Sequence, residues 1–370
     1  MIKKIVVFIL IFICFAFNVN AEESDIYKNQ LENSGALEIE NSLPDYVKEY
    51  LNENSIDISD YNWINNITSK NVFSHIWDFL KSGIKGPLIS FCGILAIILI
   101  SALLLQNENS SVNTAVMFAT SLSTVGIVCV PVFSVISASV NAMKGCAVFM
   151  TAFIPIFAVI IASSGHVATS VSMNALLLGA TNIVSFISNF AVVPLMGGYL
   201  SISIASSVSP IINNTNVSSI IKKFSFWIMA FVSTVFLGIL SVQTAVNASA
   251  DNLSMRTAKF IIGSAVPIAG GVLSEALNTL TASMALLKTS VGIYGVVICC
   301  LIFLPILIEL LLWRFALWIS DFISQGFSVC KISGLLQAVD TVLSVLVGMI
   351  LLNCAMFVLS LTVIVSGGKI

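Results

Sequence analysis

Charged residues are scarce in this sequence. Lys, Arg, Asp and Glu make up 9% of its 370 residues, whereas an ordinary soluble domain carries about 25%. So few charges cannot cover the surface of a globular protein in water. The composition therefore excludes a soluble enzyme, and the 58% of apolar residues places most of the chain in a lipid bilayer.

Metal-binding side chains are also sparse or poorly placed. The sequence has only two histidines, His75 and His166, and its eight cysteines include no Cys-x-x-Cys pair. Most of these cysteines lie within or at the end of apolar runs, where cysteine behaves as a small hydrophobic residue. Because a metal site needs three or four convergent ligands, we expect neither a metal nor a cofactor.

Catalytic motifs are missing too. The sequence contains no phosphate-binding loop, no nucleophile elbow and no zinc-protease helix. Asp321 and Asp340 are the only acidic pair of the kind that an intramembrane aspartyl protease uses, and no glycine motif flanks them. We therefore expect no enzymatic activity and no catalytic residue, and we expect no nucleic-acid partner.

The charges that are present divide the chain into two unlike parts. Residues 22–85 hold twelve acids and five lysines, a net charge of −7, and residues 86–370 hold six acids and nine bases, a net charge of +3. The first part is polar enough to lie in water, and the second is apolar enough to lie in lipid. We expect a short acidic extracytoplasmic segment over 22–85 and a multi-span membrane domain over 86–370.

The N-terminus has the pattern of a secretory signal peptide over residues 1–21. Lys3 and Lys4 precede an apolar core at 5–17, and a small-residue cleavage site ends at Ala21. An uncleaved signal anchor is the alternative, although the 13-residue core is short for a membrane span. Either arrangement delivers residues 22–85 to the extracytoplasmic side.

Two helices are expected within the acidic segment, a short one at 43–51 and an amphipathic one at 72–84. In the second, Phe73, Ile76, Leu80 and Ile84 recur at helical spacing. This helix either lies at the membrane interface just before the first span or docks on the protein itself. The remaining apolar content of the segment is too small to form a firm core alone.

The membrane domain is expected to be all-α and polytopic. With roughly 20 apolar residues per crossing, its length allows about seven to eight transmembrane helices. The apolar runs are 86–106, 115–142, 147–162, 167–208 as one span or two, 224–246, 291–313 and 341–365. Basic residues fall on both sides under every arrangement, so the sequence does not orient the later loops.

Residues 263–286 are ambiguous, because they are apolar overall but contain Pro267, Glu275 and Asn278. A polar-lined span, a broken helix and a re-entrant segment all fit this composition. Charges at membrane depth are costly, which makes them functional candidates. Glu275 and Asn278 are therefore candidates for a pore wall or a helix–helix contact. For Glu275 an interfacial position is a further alternative.

Glu309 and Asp340 complete the set of candidate pore or packing residues. For Glu309 the alternative is a position near the interface, within reach of Arg314. For Asp340 the alternative is an acidic residue at the start of a helix, next to water.

Several segments resemble the stage III sporulation protein AE family. The most specific is SMRTAKFI at 254–261, and the others are SVQ at 241–243, LKTSVGIYGV at 287–296, FIPI at 153–156, ASSG at 162–165 and LSLTVIV at 359–365. The resemblance covers about residues 70–370 and includes the general plan of a signal peptide, a short polar segment and a multi-span body.

This resemblance implies a membrane component of the transenvelope channel complex of endospore-forming bacteria. The protein would lie in the mother-cell membrane around the forespore, with its N-terminal segment in the intermembrane space and other stage III sporulation proteins as partners. It would support forespore maintenance and late forespore gene expression. The family has no established active site, so no catalytic residue follows.

Arg256 and Lys259 lie three residues apart and share a helix face. Three roles stay open for them: to anchor that helix at lipid phosphates, to dock an acidic partner, or to line the mouth of a conduit. For the whole protein, two alternatives to a channel component stay open: an assembly platform without a pore, and an independent transporter of small solutes. The sequence also leaves a homo-oligomer open.

Overall fold

The structure, a computed structural model, describes residues 24–60, 63, 69–105, 110–208, 219–242 and 270–366. Regular secondary structure in these residues is entirely helical. The predicted signal peptide at 1–21 lies outside them. The helices are α1 (Ser24–Ser34), a 3₁₀ helix (Ala36–Ser42), α2 (Asp45–Glu53), α3 (Ser69–Gly83), α4 (Lys85–Leu104), α5 (Ser110–Ser163), α6 (Val167–Ile187), a π turn (Ser188–Val192), α7 (Val193–Val208), α8 (Ser219–Val242), α9 (Gly270–Gly326) and α10 (Cys330–Ser366).

Helix α5 is one continuous helix of 54 residues. The prediction of separate spans at 115–142 and 147–162 is wrong, because the polar residues around Lys144 do not interrupt the backbone. Pro131 and Pro155 also lie inside the helix, where each proline removes only one backbone donor. At 1.5 Å per residue α5 is about 80 Å long, well beyond the roughly 30 Å of a hydrocarbon core.

Helix α9 is also continuous, over 57 residues. It joins the described part of the ambiguous segment to the predicted span at 291–313, so neither a break nor a re-entrant turn occurs between Gly270 and Gly326. The sequence contains Pro305 inside this helix as well. Prolines inside α5 and α9 therefore do not mark helix ends.

The apolar stretch 167–208 runs as α6, the π turn and α7 without an intervening loop. The π turn ends two residues before Pro194. Proline has no backbone N–H and its ring crowds the carbonyl four residues earlier, at Phe190, which lies in the π turn. A locally widened turn therefore accommodates the proline, and the stretch is one helical passage.

Six described helical stretches are long and apolar enough to cross a membrane. The all-helical membrane class is therefore confirmed for the described part of the chain, whereas the count of seven to eight spans is not. The stretches are Ile76–Leu104, Ser111–Ser163, Val167–Val208, Ser219–Val242, Ser283–Gly326 and Cys330–Leu361.

The core of the molecule lies where α5, α9 and α10 meet. Helices α9 and α10 form an antiparallel hairpin, and the rings of Phe149, Phe153 and Phe157 on α5 pack beside Phe357 on α10. Gly295 on α9 faces this aromatic cluster without a side chain. A Cβ atom there would lie 2.5 Å from Phe153 Cζ, so the close approach of α5 and α9 depends on glycine.

Candidate functional site: a docked cap and a polar hairpin

The acidic N-terminal segment folds into a small helical unit, which we call the cap (residues 24–60 and Trp63). Its apolar side chains are buried, while seven of its acids are exposed. The buried set comprises Tyr27, Leu31, Ala36, Ile39, Leu43, Val47, Tyr50, Leu51, Ile56, Ile58 and Trp63. These side chains belong to the same continuous core as the long helices, so the cap is stabilised by docking on the membrane domain.

A chain of hydrogen bonds fixes the cap to the middle of α9. Trp63 Nε1 donates to Ser290 Oγ at 3.1 Å, and Ser290 Oγ lies 2.9 Å from Tyr27 Oη. Tyr27 Oη donates its own proton to the Ile58 carbonyl oxygen at 3.0 Å. Ser290 must therefore donate to Tyr27, and every proton in the chain has one acceptor. Ser290 is 1% exposed, so a single hydroxyl joins two cap residues inside the core.

Further contacts extend this interface along α9. Gln30 Nε2 donates to Ser283 Oγ at 2.8 Å, and Tyr46 Oη donates to the Ile302 carbonyl oxygen at 3.0 Å. The ring of Tyr294 meets the edge of Trp63 at a centroid distance of 5.5 Å. The cap therefore covers residues 283–302 of α9, about 28 Å of helix.

Glu40 is the cap carboxylate that turns toward α9. It accepts a hydrogen bond from Tyr294 Oη at 3.4 Å. Burial raises the pKa of Glu40, and the negative charge of Asp57 raises it further, against smaller opposing effects of the Tyr294 hydrogen bond and Lys48. The cap interface thus contains a carboxyl group that binds its proton more tightly than in water.

The second polar feature lies on the α9–α10 hairpin. Arg314 Nε donates to Asp340 Oδ1 at 2.8 Å, and a guanidinium NH2 group donates to Oδ2 at 3.4 Å. Asp340 lies ten residues inside α10, so the helix-start alternative is wrong. In the described part of the chain Arg314 pairs with Asp340 and not with Glu309, and the interfacial position of Glu309 stays a prediction.

Asp321 is a hydrogen-bond centre that the sequence analysis missed. Its carboxylate accepts from Ser333 Oγ at 2.5 Å, from Gln325 Nε2 at 2.9 Å and from Gln337 Nε2 at 3.2 Å. Gln325 lies four residues from Asp321, a spacing that favours such a contact on a helix. Asp321 therefore pairs with neutral donors, whereas Asp340 pairs with an arginine.

The remaining predicted site residues are only partly described. Glu309 is half-buried on α9, within the candidate span Ser283–Gly326. Glu275 and Asn278 lie on the first turns of α9, where the structure describes the backbone. Arg256 and Lys259 lie outside the described residues. Of the six predicted residues, the structure therefore describes the side chains of Glu309 and Asp340 alone, and the roles of all six stay predictions.

Four cysteines approach one another in the core. Cys146 Sγ lies 3.9 Å from Cys299 Sγ, and these two residues and Cys354 are buried, with Cys300 partly so. The described cysteines are free thiols. Among the described residues no group of three His, Cys, Asp or Glu side chains has the arrangement of a metal site.

A small apolar cavity lies between α5, α6, α8 and α10, next to Thr181, Phe236 and Asn353. Its volume is about 20 Å³, which is room for about one water molecule. This space is too small to pass a solute.

These features define a helical, multi-pass membrane protein with a docked polar cap. The profile of the family described as stage III sporulation protein AE matches residues 43–368, nearly the whole of this architecture. The chain belongs to the stage III sporulation protein AE family, and the resemblance noted in the sequence is confirmed.

One curated relative supports the same assignment. Over 223 residues the chain is 26% identical to the stage III sporulation protein AE of Bacillus subtilis (strain 168). The match covers 60% of this chain and 56% of the relative, so it spans a little over half of that protein's length. No solved structure matches the chain. The family supports a role in sporulation and a place in the membrane.

Proposed function

We propose that the protein is a membrane component of the channel complex that links mother cell and forespore. The observation that carries this proposal is the family match over residues 43–368 together with the multi-helix membrane body. The protein would lie in the mother-cell membrane around the forespore, with the cap in the intermembrane space. Its partners would be other stage III sporulation proteins, and its role would be non-enzymatic.

Within such a complex, the geometry favours an assembly platform over a conduit through this one chain. The conduit hypothesis lines the pore with residues 263–288. Ser283, Leu287 and Lys288 fall in this stretch, and all three are buried. The cap covers that stretch from one side. A platform whose long helices carry partner proteins fits this packing without rearrangement, whereas a conduit requires the cap to leave or several chains to share a passage.

The proposed role is tested by deleting the gene in its host and complementing the deletion with the full chain. We expect normal growth and engulfment, together with a silent late forespore reporter and a collapsing forespore, all restored by complementation. A vegetative growth defect with ordinary spores would contradict the proposal and favour an independent transporter.

Platform and conduit are separated by the accessibility of single cysteines introduced from residue 263 to residue 288. The substitutions are made in a functional background and labelled with a membrane-impermeant maleimide. A platform predicts that positions 283, 287 and 288 stay unlabelled while the complemented strain sporulates. Labelling that recurs with helical periodicity through 283–288 would support the conduit instead.

A further inference from the structure

Cysteines from three long helices meet at one point in the core. The Sγ atom of Cys146 on α5 lies 3.9 Å from the Sγ atom of Cys299 on α9. Cys354 on α10 is within hydrogen-bonding reach of the thiols of Cys299 and Cys300. We call these four residues the thiol cluster. Four of the seven cysteines in the described part of the chain therefore converge, although α5 and α10 are far apart in the sequence.

Helix packing holds the first two of these thiols together. Gly295 lies one turn before Cys299, and a Cβ atom there would lie 2.5 Å from Phe153 Cζ on α5. The backbone of α9 therefore rests directly against an α5 side chain near the thiol pair. Cys146 and Cys299 are 3% and 0% exposed, so both thiols are held inside the core. A disulfide places its sulfur atoms about 2 Å apart, so each Sγ has to move by only about 1 Å.

The thiol pair lies beneath the cap. Gly145, next to Cys146, faces the cap, because a Cβ on Gly145 would lie 3.7 Å from Pro44 Cγ. Tyr46 Oη donates to the carbonyl oxygen of Ile302, on the turn of α9 that follows the thiol. A bond between the two thiols would therefore join α5 and α9 at the surface on which the cap docks.

Space for a small oxidant lies close to the cluster. The cavity between α5, α6, α8 and α10 is lined by Met150, one turn along α5 from Cys146, and by Asn353, next to Cys354. Its volume of about 20 Å³ is room for about one water molecule. A small, uncharged peroxide is the class of oxidant that suits so little space.

We propose that Cys146 and Cys299 are an oxidation site, and that their disulfide locks α5 to α9 beneath the cap. The oxidant is hydrogen peroxide. One thiol attacks a peroxide oxygen, which forms a sulfenic acid and releases one water molecule. The second thiol attacks the sulfenic sulfur, which forms the S–S bond and releases a second water molecule.

This reaction balances without a further reactant. Each sulfur atom loses one electron, each peroxide oxygen gains one, and both thiol protons leave in the two water molecules. The reaction is favoured by the proximity of the two thiols rather than by an activated thiolate. The inference depends on the packing of α5, α9 and α10, and it holds whether or not the sporulation role is correct.

The test treats the purified full chain in detergent with hydrogen peroxide and blocks the remaining thiols with N-ethylmaleimide. The background carries Cys92→Ser and Cys330→Ser, because these two cysteines are exposed and would link separate chains. Mass spectrometry of the digested chain is expected to show peptides joined through Cys146 and Cys299 as the main oxidation product. These linked peptides should disappear on reduction with dithiothreitol.

A second measurement compares oxidised and reduced samples of the same chain, so it does not depend on how well a variant folds. The oxidised chain should unfold at a higher denaturant concentration than the reduced chain, because the bond closes a long loop in the unfolded state. Reduction should return the midpoint to its original value.

Two variants complete the test. Cys146→Ala should abolish both the linked peptides and the rise in the unfolding midpoint. The matched control, Cys129→Ala, removes another buried cysteine of α5 and should leave both results unchanged. A main product joined through Cys299 and Cys354, irreversible oxidation of single cysteines, or no oxidation at all would overturn the proposal.

Discussion

At the scale of single residues, Ser290 has the clearest structural role. Its hydroxyl accepts from Trp63 and lies 2.9 Å from Tyr27, although both partners are more than 220 positions away in the sequence. The sequence gives little indication of this role, because a serine in an apolar run looks like a small residue that the run tolerates. Its importance depends entirely on what packs against it.

We predict that Ser290→Ala lowers the free energy of unfolding by about 1–3 kcal/mol, because the Trp63 N–H group is then buried without an acceptor. Denaturant titration of the purified chain in detergent measures this change. The matched control is Thr289→Ala, whose exposed hydroxyl bonds only to the Ala285 carbonyl oxygen of its own helix. Equal effects of the two substitutions would contradict the docked position of the cap.

Glu40 gives the cap a dependence on pH. Its pKa is raised chiefly by burial, so the folded chain binds this proton more tightly than the unfolded chain. The stabilising contribution is fully present below the ordinary pKa of 4.5 and is lost as the pH rises through the raised pKa. We predict that Glu40→Gln reduces the loss of stability as the pH rises above 4.5.

The same titration at several pH values tests this prediction. Glu38→Gln removes an exposed carboxylate of the same short helix and serves as the control. A Glu40→Gln variant with the full pH dependence of the wild type would show that Glu40 is not the group responsible.

At the scale of elements, the sequence predicts helices well and their ends poorly. The apolar runs at 291–313 and 341–365 lie on helices of the structure, and the run at 86–106 does so as far as Leu104. Each run is long enough to exclude other structures in lipid. The ends were missed where polar or proline residues interrupt a run without ending the helix, as around Lys144 in α5. Neighbouring helices stabilise the uninterrupted helix at these positions, and no local sequence pattern indicates those contacts.

Gly295 shows how closely these elements approach. We predict that Gly295→Ala destabilises the chain by about 1–3 kcal/mol, because the new methyl group meets the Phe153 ring. That ring is held by Phe149, Phe157 and Phe357 and has little room to move.

Two other glycines provide controls for Gly295, again by denaturant titration. A Cβ on Gly334 would have no neighbour within 4 Å, so Gly334→Ala should be neutral or stabilising. A Cβ on Gly348 would meet only the flexible end of Met229, so Gly348→Ala should have an intermediate effect. If Gly295→Ala lowered the free energy of unfolding as little as Gly334→Ala does, the close packing of α5 on α9 would be contradicted.

At the scale of the whole molecule, the docking of the cap is what the sequence could not supply. Composition separates residues 22–85 from the membrane domain, and it predicts too little apolar content for a firm core of the segment's own. The partner surface at 283–302 is more than 200 residues away, and nothing local in either segment specifies the other. The Arg314–Asp340 pair is only 26 positions apart. It was missed because the short turn between α9 and α10, which brings the two helix interiors together, was not foreseen.

The most direct test of this account is a disulfide between the cap and α9 in the intact membrane protein. Gln30 and Ser283 are hydrogen-bonded at 2.8 Å, so Gln30→Cys with Ser283→Cys should cross-link readily on oxidation in membranes. Mass spectrometry of the digested chain identifies the linked peptides. Glu32→Cys with Ser283→Cys is the control, because Glu32 is exposed on the same helix. A docked cap predicts a cross-link between the first pair of cysteines alone. The absence of a cross-link in the first pair, or equal cross-linking yields in the two pairs, would contradict the docked position of the cap.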